Sequence, residues 1–126
     1  MISFTDEEQG GGLDLIVVIE KFFSASGLLS KSKNFEFRPE QQQMAIAVAK
    51  ALKGSEHLIV EAGTGVGKSL AYLVPAIFHA DSQNKKAVIS THTINLQEQL
   101  TEKDLPMLKQ VLPVEFSFTM LKGRGN

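Results

Sequence analysis

The eight residues Ala62-Gly63-Thr64-Gly65-Val66-Gly67-Lys68-Ser69 constrain this chain more than anything else in it. They follow a short apolar run, His57 to Glu61, and lead into a stretch of helical character from Ser69 to Ala80. A strand that passes through a glycine-rich turn into a helix gathers several backbone N–H groups around one concavity, with the positive end of the helix dipole behind them. Phosphate oxygens are then held by fixed donors rather than by bulk charge. Lys68 is placed to reach the β and γ phosphates of a nucleoside triphosphate, and the Ser69 hydroxyl to ligate the Mg²⁺ that bridges them. The strict pattern has Gly at its first position and this chain has Ala62, which is small enough for the tight turn. At ordinary glycine usage, Gly-x-Gly-Lys-Ser arises by chance in a chain this short on the order of once in several hundred sequences. The bland alternative is a glycine-rich loop with an exposed lysine. Position between strand and helix weighs against it.

The surroundings fit an α/β fold. A short helix is expected over Leu13 to Phe23, with apolar positions on more than one face, followed by a serine- and lysine-rich connection from Ser24 to Lys33 and a turn near Phe35-Glu36-Phe37. Pro39 suits a first helical residue. Met44, Ala45, Val48, Ala49 and Leu52 then recur at helical spacing until Gly54 closes the helix. After the loop and its helix come a polar turn at Asp81 to Lys86, a second strand at Ala87 to Ser90, helices at about Asn95–Glu102 and Leu105–Val111, and a third strand at Glu115 to Thr119. Strands alternating with helices argue for a parallel sheet. Three strands would leave that sheet with raw edges, and Lys122 to Asn126 has no stop signal, so the expectation is a fragment of a longer protein.

Composition bounds the partners. Thirteen basic and fourteen acidic residues give a net charge of −1, so any nucleic-acid surface must be local. There is no cysteine, which excludes a disulfide framework and any thiolate metal site in these residues. The acidic start has no signal-peptide character, and Leu15 to Ile19 is far short of the roughly 20 apolar residues of a membrane span. No membrane association and a cytoplasmic location are expected.

Beyond the loop, Glu61 to Ser69 resembles motif I of the DinG branch of the XPD-like (Rad3-like) superfamily 2 DNA helicases, which tolerate Ala at the first position. Phe37-Arg38-Pro39-Glu40-Gln41-Gln42-Gln43-Met44 is similar to that family's Arg-Pro-x-Gln-x-x-Met lead-in segment. Ser90-Thr91-His92-Thr93-Ile94-Asn95-Leu96-Gln97-Glu98-Gln99-Leu100 looks like its motif Ia, and Lys103 to Leu108 with Lys122 to Asn126 looks like its approach to an iron–sulfur insertion. The resemblance spans about Phe22 to Asn126. It implies a P-loop NTPase, with residues 1–34 as an N-terminal helix and connection. Residues 35–126 then form the first part of a RecA-like helicase domain 1 that stops before the Walker B motif.

By the same resemblance, ATP lies on Ala62 to Ser69 with Arg38 and Gln41 at its adenine end, Lys68 acts catalytically, and Ser69 holds Mg²⁺. Thr91, His92, Gln99 and Arg124 are implied to contact single-stranded DNA, or forked or R-loop nucleic acid. A 4Fe-4S cluster is implied for the full-length protein, with no ligand in this chain. The short stretch before the lead-in segment leaves no room for the exonuclease of cluster-free relatives and favours the cluster-bearing type. A 5′-to-3′ DNA-unwinding ATPase is the expected activity, absent from these residues alone because the metal-holding carboxylates and a second lobe are missing.

The bland readings stand beside these. Gln41 and Arg38 at a helix start are ordinarily solvated, Thr91, Thr93 and Asn95 suit a helix N-cap, and Arg124 suits a loose loop. A small P-loop kinase or phosphotransferase, or a nucleotide-switched binding module, also accommodates the loop. Stimulation of ATPase activity by single-stranded DNA separates the first reading from both. Oligomeric state is not legible.

Overall fold

The computed structural model describes residues 14–31, 36–63 and 67–122. They fall into two compact units, Met1–Ala87 and Val88–Asn126. In the first unit, helix α1 spans Leu15–Phe22, a 3₁₀ turn Leu28–Lys31, α2 Pro39–Lys53 and α3 Lys68–Gln83.

Helix α1 starts at Asp14, whose side chain accepts the Ile16 N–H at 2.9 Å and so satisfies one of the helix's orphan donors. That bond, with the Lys53 ammonium 3.1 Å away, holds the Asp14 carboxyl below its ordinary value. The ion pair is exposed and contributes little to stability. It nonetheless ties the start of α1 to the end of α2. Ile19 and Phe22, three apart on one face, are buried, and the ring of Phe22 meets Phe23 at 5.5 Å and Phe78 of α3 at 6.2 Å, both edge-on. Gln42 of α2 donates to the carbonyl of Glu20 at 2.8 Å, a second tie between α1 and α2.

Helix α2 begins at Pro39, where the missing N–H costs nothing, and ends at Gly54, whose N–H reaches back to the Lys50 carbonyl. Its buried positions are Gln41, Ala45 and Ala49, a stripe of period four. The two alanines are small enough for α3 to pack closely on α2, and Ala71, Leu73 and Val74 of α3 are buried. Pro75 is buried inside α3 and leaves the carbonyl of Ala71 without its usual partner. The helix runs past the expected turn at Asp81 and stops at Asn84. That residue adopts the left-handed conformation (φ 54°) that Asn tolerates, and Lys85 N–H bonds the Ala80 carbonyl at 2.9 Å.

The second unit holds α4 (Ile94–Gln99), a π-helical turn at Leu100–Asp104, and α5 (Leu105–Val111). The two expected helices are thus joined by a π turn. Pro106 explains it: a proline has no N–H for the carbonyl of Glu102 and its ring clashes there, so the backbone widens and Leu105 N–H bonds the carbonyl of Leu100 instead. Thr101, whose hydroxyl donates to the Gln97 carbonyl at 3.0 Å, further loads the same turn.

The expected parallel sheet is not seen among the described residues. Among the described residues no strand is assigned, and His57–Glu61, Ala87–Ser90 and Glu115–Thr119 form no ladder. Ile59 and Val88, within the expected strands, are 97% and 90% exposed. A strand is stabilised by neighbours, and parallel neighbours are separated by long crossovers. An apolar run alone does not create them.

The packing of α1 yields a prediction. Truncating Phe22→Ala removes the ring that joins α1 to α3 and lowers the urea unfolding free energy by about 3–5 kcal/mol. A loss below about 1 kcal/mol would show that α1 is not part of this core.

Candidate nucleotide-binding site

Ala62, Gly63, Gly67, Lys68 and Ser69 of the glycine-rich loop are described, whereas Thr64, Gly65 and Val66 lie outside the described residues. Gly67 is the N-cap of α3 and has φ 85°, a conformation that L side chains avoid. A Cβ there would collide with Gln41 Nε2 and lie 3.7 Å from Arg38 Nη1. The structure therefore brings Arg38 and Gln41, expected at the base end of a nucleotide, beside the glycine that opens α3. Gly63, by contrast, has open space where a Cβ would sit.

Gln41 is 4% exposed, the one buried polar residue among those described, and its Nε2 donates to the carbonyl of Gly67 at 3.1 Å. The same carbonyl accepts Ala71 N–H at 3.3 Å, the first intrahelical bond of α3. The N–H groups of Lys68, Ser69 and Leu70 precede that bond and have no acceptor within the helix. They are the donors a phosphate requires, with the helix dipole aligned behind them. Lys68 Nζ donates to the Ala62 carbonyl at 3.1 Å, so the ammonium folds back onto the first residue of its own loop. Ser69 is half-buried on the first turn of α3, next to Lys68. Arg38 is half-buried and lies 4.0 Å from Glu36 Oε1, a loose pair. These donors fit a polyphosphate: backbone N–H groups, one ammonium and one hydroxyl, with no carboxylate of the described residues bonded to them.

The residues expected to face nucleic acid belong to the second unit. Thr91 donates its hydroxyl to the Thr93 carbonyl at 3.4 Å, and Thr93 caps α4 by accepting Leu96 N–H at 3.2 Å. His92 is exposed between them. Gln99 donates to Asp104 Oδ2 at 3.3 Å across the π turn. Arg124 lies outside the described residues. Burial pushes the Asp104 carboxyl up, and the Gln99 amide, followed by Lys103, only partly opposes this. Neither the π turn nor the loop-holding position of Gln41 was among the expectations. Pro106 with Thr101 signals the first, and the Gln41-Ala45-Ala49 stripe signals the second. No His, Cys, Asp or Glu cluster that could hold a metal occurs among the described residues, and the chain has no cysteine. These residues do not fit an iron–sulfur cluster.

With that geometry in view, residues 39–123 match the DEAD/DEAH box helicase family. The chain belongs to that family, and with it to the P-loop, RecA-like fold class. Its relatives include the ATP-dependent DNA helicase YoaA of Haemophilus influenzae, 46% identical over 86% of this chain and 16% of the relative. The ATP-dependent helicase DinG of Mycobacterium tuberculosis is 54% identical over 71% of this chain and 14% of the relative. The ATP-dependent DNA helicase DinG of Escherichia coli is 49% identical over 70% and 12%. The chain thus spans about a seventh of the length of these relatives. No helix of the described residues is long and apolar enough to cross a membrane.

A pH prediction follows for Asp104. A carboxyl raised on folding binds its proton more tightly in the native state, so its penalty is absent below 3.8 and grows as pH rises through the raised value. Asp104→Asn keeps an acceptor for Gln99 and is expected to raise the thermal midpoint by ~1–3 °C at neutral pH, with the gain vanishing below the ordinary carboxyl range. An equal gain at both pH values would remove ionisation as the cause.

Proposed function

We propose that this chain is the ATP-binding front of a DinG-like, single-stranded-DNA-stimulated helicase that unwinds DNA in the 5′-to-3′ direction. The observation that carries the reading is the convergence of Gln41, Gly67 and Lys68 on one loop at the start of α3, in a chain whose named relatives are ATP-dependent helicases. Ala62 to Ser69 hold the triphosphate through backbone N–H groups, Lys68 neutralises the β and γ oxygens, and Ser69 carries Mg²⁺. A Mg²⁺ ion held there would supply positive charge to the terminal phosphates. Arg38 and Gln41 lie at the base end. Residues 1–34 brace the site through α1, and 35–126 carry its chemistry on what becomes a parallel sheet once the strand segments gain neighbours.

Thr91, His92, Gln99 and Arg124 are assigned to the DNA path, with forked or R-loop nucleic acid as the wider substrate class. A 4Fe-4S cluster belongs to the whole protein on the resemblance alone, its thiolates supplied by residues outside this sequence. The location is cytoplasmic. A phosphotransferase or a nucleotide-switched binding module would share the loop but would show no ATPase stimulation by single-stranded DNA.

Lys68→Ala in the whole motor is expected to reduce DNA-stimulated ATP hydrolysis by about 10²-fold or more, because the ammonium interacts most strongly as charge develops on the leaving phosphate. Near wild-type turnover by a folded Lys68→Ala protein would take this residue out of the mechanism. The present chain alone is expected to bind Mg·ATP weakly without releasing phosphate. Lys68-dependent release from it would reveal an active site complete within these residues.

A further inference from the structure

We infer that Gln41 is a positioning residue of the phosphate loop, acting on the loop's backbone in addition to any contact with the base. The inference rests on the nucleotide-site reading above. Three observations carry it. The carboxamide is almost wholly buried, so water cannot replace a partner it loses. Its Nε2 spends a hydrogen bond on the Gly67 carbonyl, 26 residues away in sequence. Gly67 is the left-handed residue at which the loop turns into α3, and its missing side chain leaves the space that the amide occupies.

The consequence is geometric. The carbonyl of Gly67 belongs to the peptide unit whose N–H is that of Lys68, so whatever fixes the carbonyl also fixes the direction of the first free donor of α3. The Ala71 N–H bond at 3.3 Å holds that peptide from the helix side, and Gln41 holds it from α2. The anchor is itself firm, because Gln41 continues the Ala45-Ala49 stripe packed against α3. A glutamine that sets the loop stays bonded to it whichever base is present, and the two roles are separated by a ligand that has no base.

The test separates base from phosphate. Binding of Mg·ATP and of Mg·tripolyphosphate, which has no base, is measured by calorimetry on wild type, Gln41→Leu and the near-isosteric Gln41→Glu, with thermal midpoints recorded to confirm folding. The expected result is that both variants weaken tripolyphosphate roughly tenfold, the worth of one buried hydrogen bond. Any further loss confined to ATP reports the base. The introduced carboxyl of Gln41→Glu regains an O–H donor when protonated, so its deficit relative to wild type should shrink as pH falls, while that of Gln41→Leu stays constant. A merely space-filling role predicts no such pH dependence. Wild-type tripolyphosphate affinity in both folded variants would overturn the inference and leave the nucleotide site standing. Failure of wild type to bind either ligand would overturn the nucleotide site and this inference together.

Discussion

A single hydrogen bond, from the buried Gln41 amide to the Gly67 carbonyl, joins the two helices that frame the phosphate loop. Much of the first unit follows from the need to make it. Ala45 and Ala49 are small so that α3 can come close enough; Gly67 lacks a side chain so that the amide has room and the backbone can turn left-handed. Leaving either partner unmet inside the protein costs about 1–3 kcal/mol, a sizeable share of the stability of a small domain. The bond is therefore a constraint on the loop as much as a contribution to the fold.

Against this fixed end, the other end of the loop is loosely held. Lys68 reaches the Ala62 carbonyl through an exposed hydrogen bond, in which water can readily replace either partner. The ammonium can exchange that carbonyl for another acceptor at small cost, whereas the directions of the N–H groups at the start of α3 are set by the helix itself. The aromatic contact of Phe22 with Phe78 braces α3 further along, where Pro75 interrupts its ladder.

What was legible in the sequence was local. Helix α2 could be read because Pro39, a four-residue stripe and Gly54 mark its start, face and end. Thr93 was recognisable as a cap for the same reason. The strand runs at His57, Ala87 and Glu115 carry the apolar character of sheet residues, but the ladder that makes a strand depends on neighbours remote in sequence, and none is formed among the described residues. The end of α3 was missed because Asn84, not a glycine or proline, supplies the left-handed stop. The π turn was missed because one helix was expected to end near Glu102 and another to begin at Leu105, whereas the backbone carries through by lengthening one turn. Gln41 was placed at the base end by resemblance to the Arg-Pro-x-Gln-x-x-Met segment. Its place on the stripe with Ala45 and Ala49 accounts for its burial.

The central claim is that consecutive backbone donors between Ala62 and Leu70, set by Gln41, hold the phosphates. Amide hydrogen exchange of the chain, measured with and without Mg·tripolyphosphate, addresses that claim residue by residue. The account predicts slowed exchange at the loop and at Lys68, Ser69 and Leu70, with the amides of α5 unchanged. Protection that spares Lys68 to Leu70, or that appears mainly in the second unit, would contradict it.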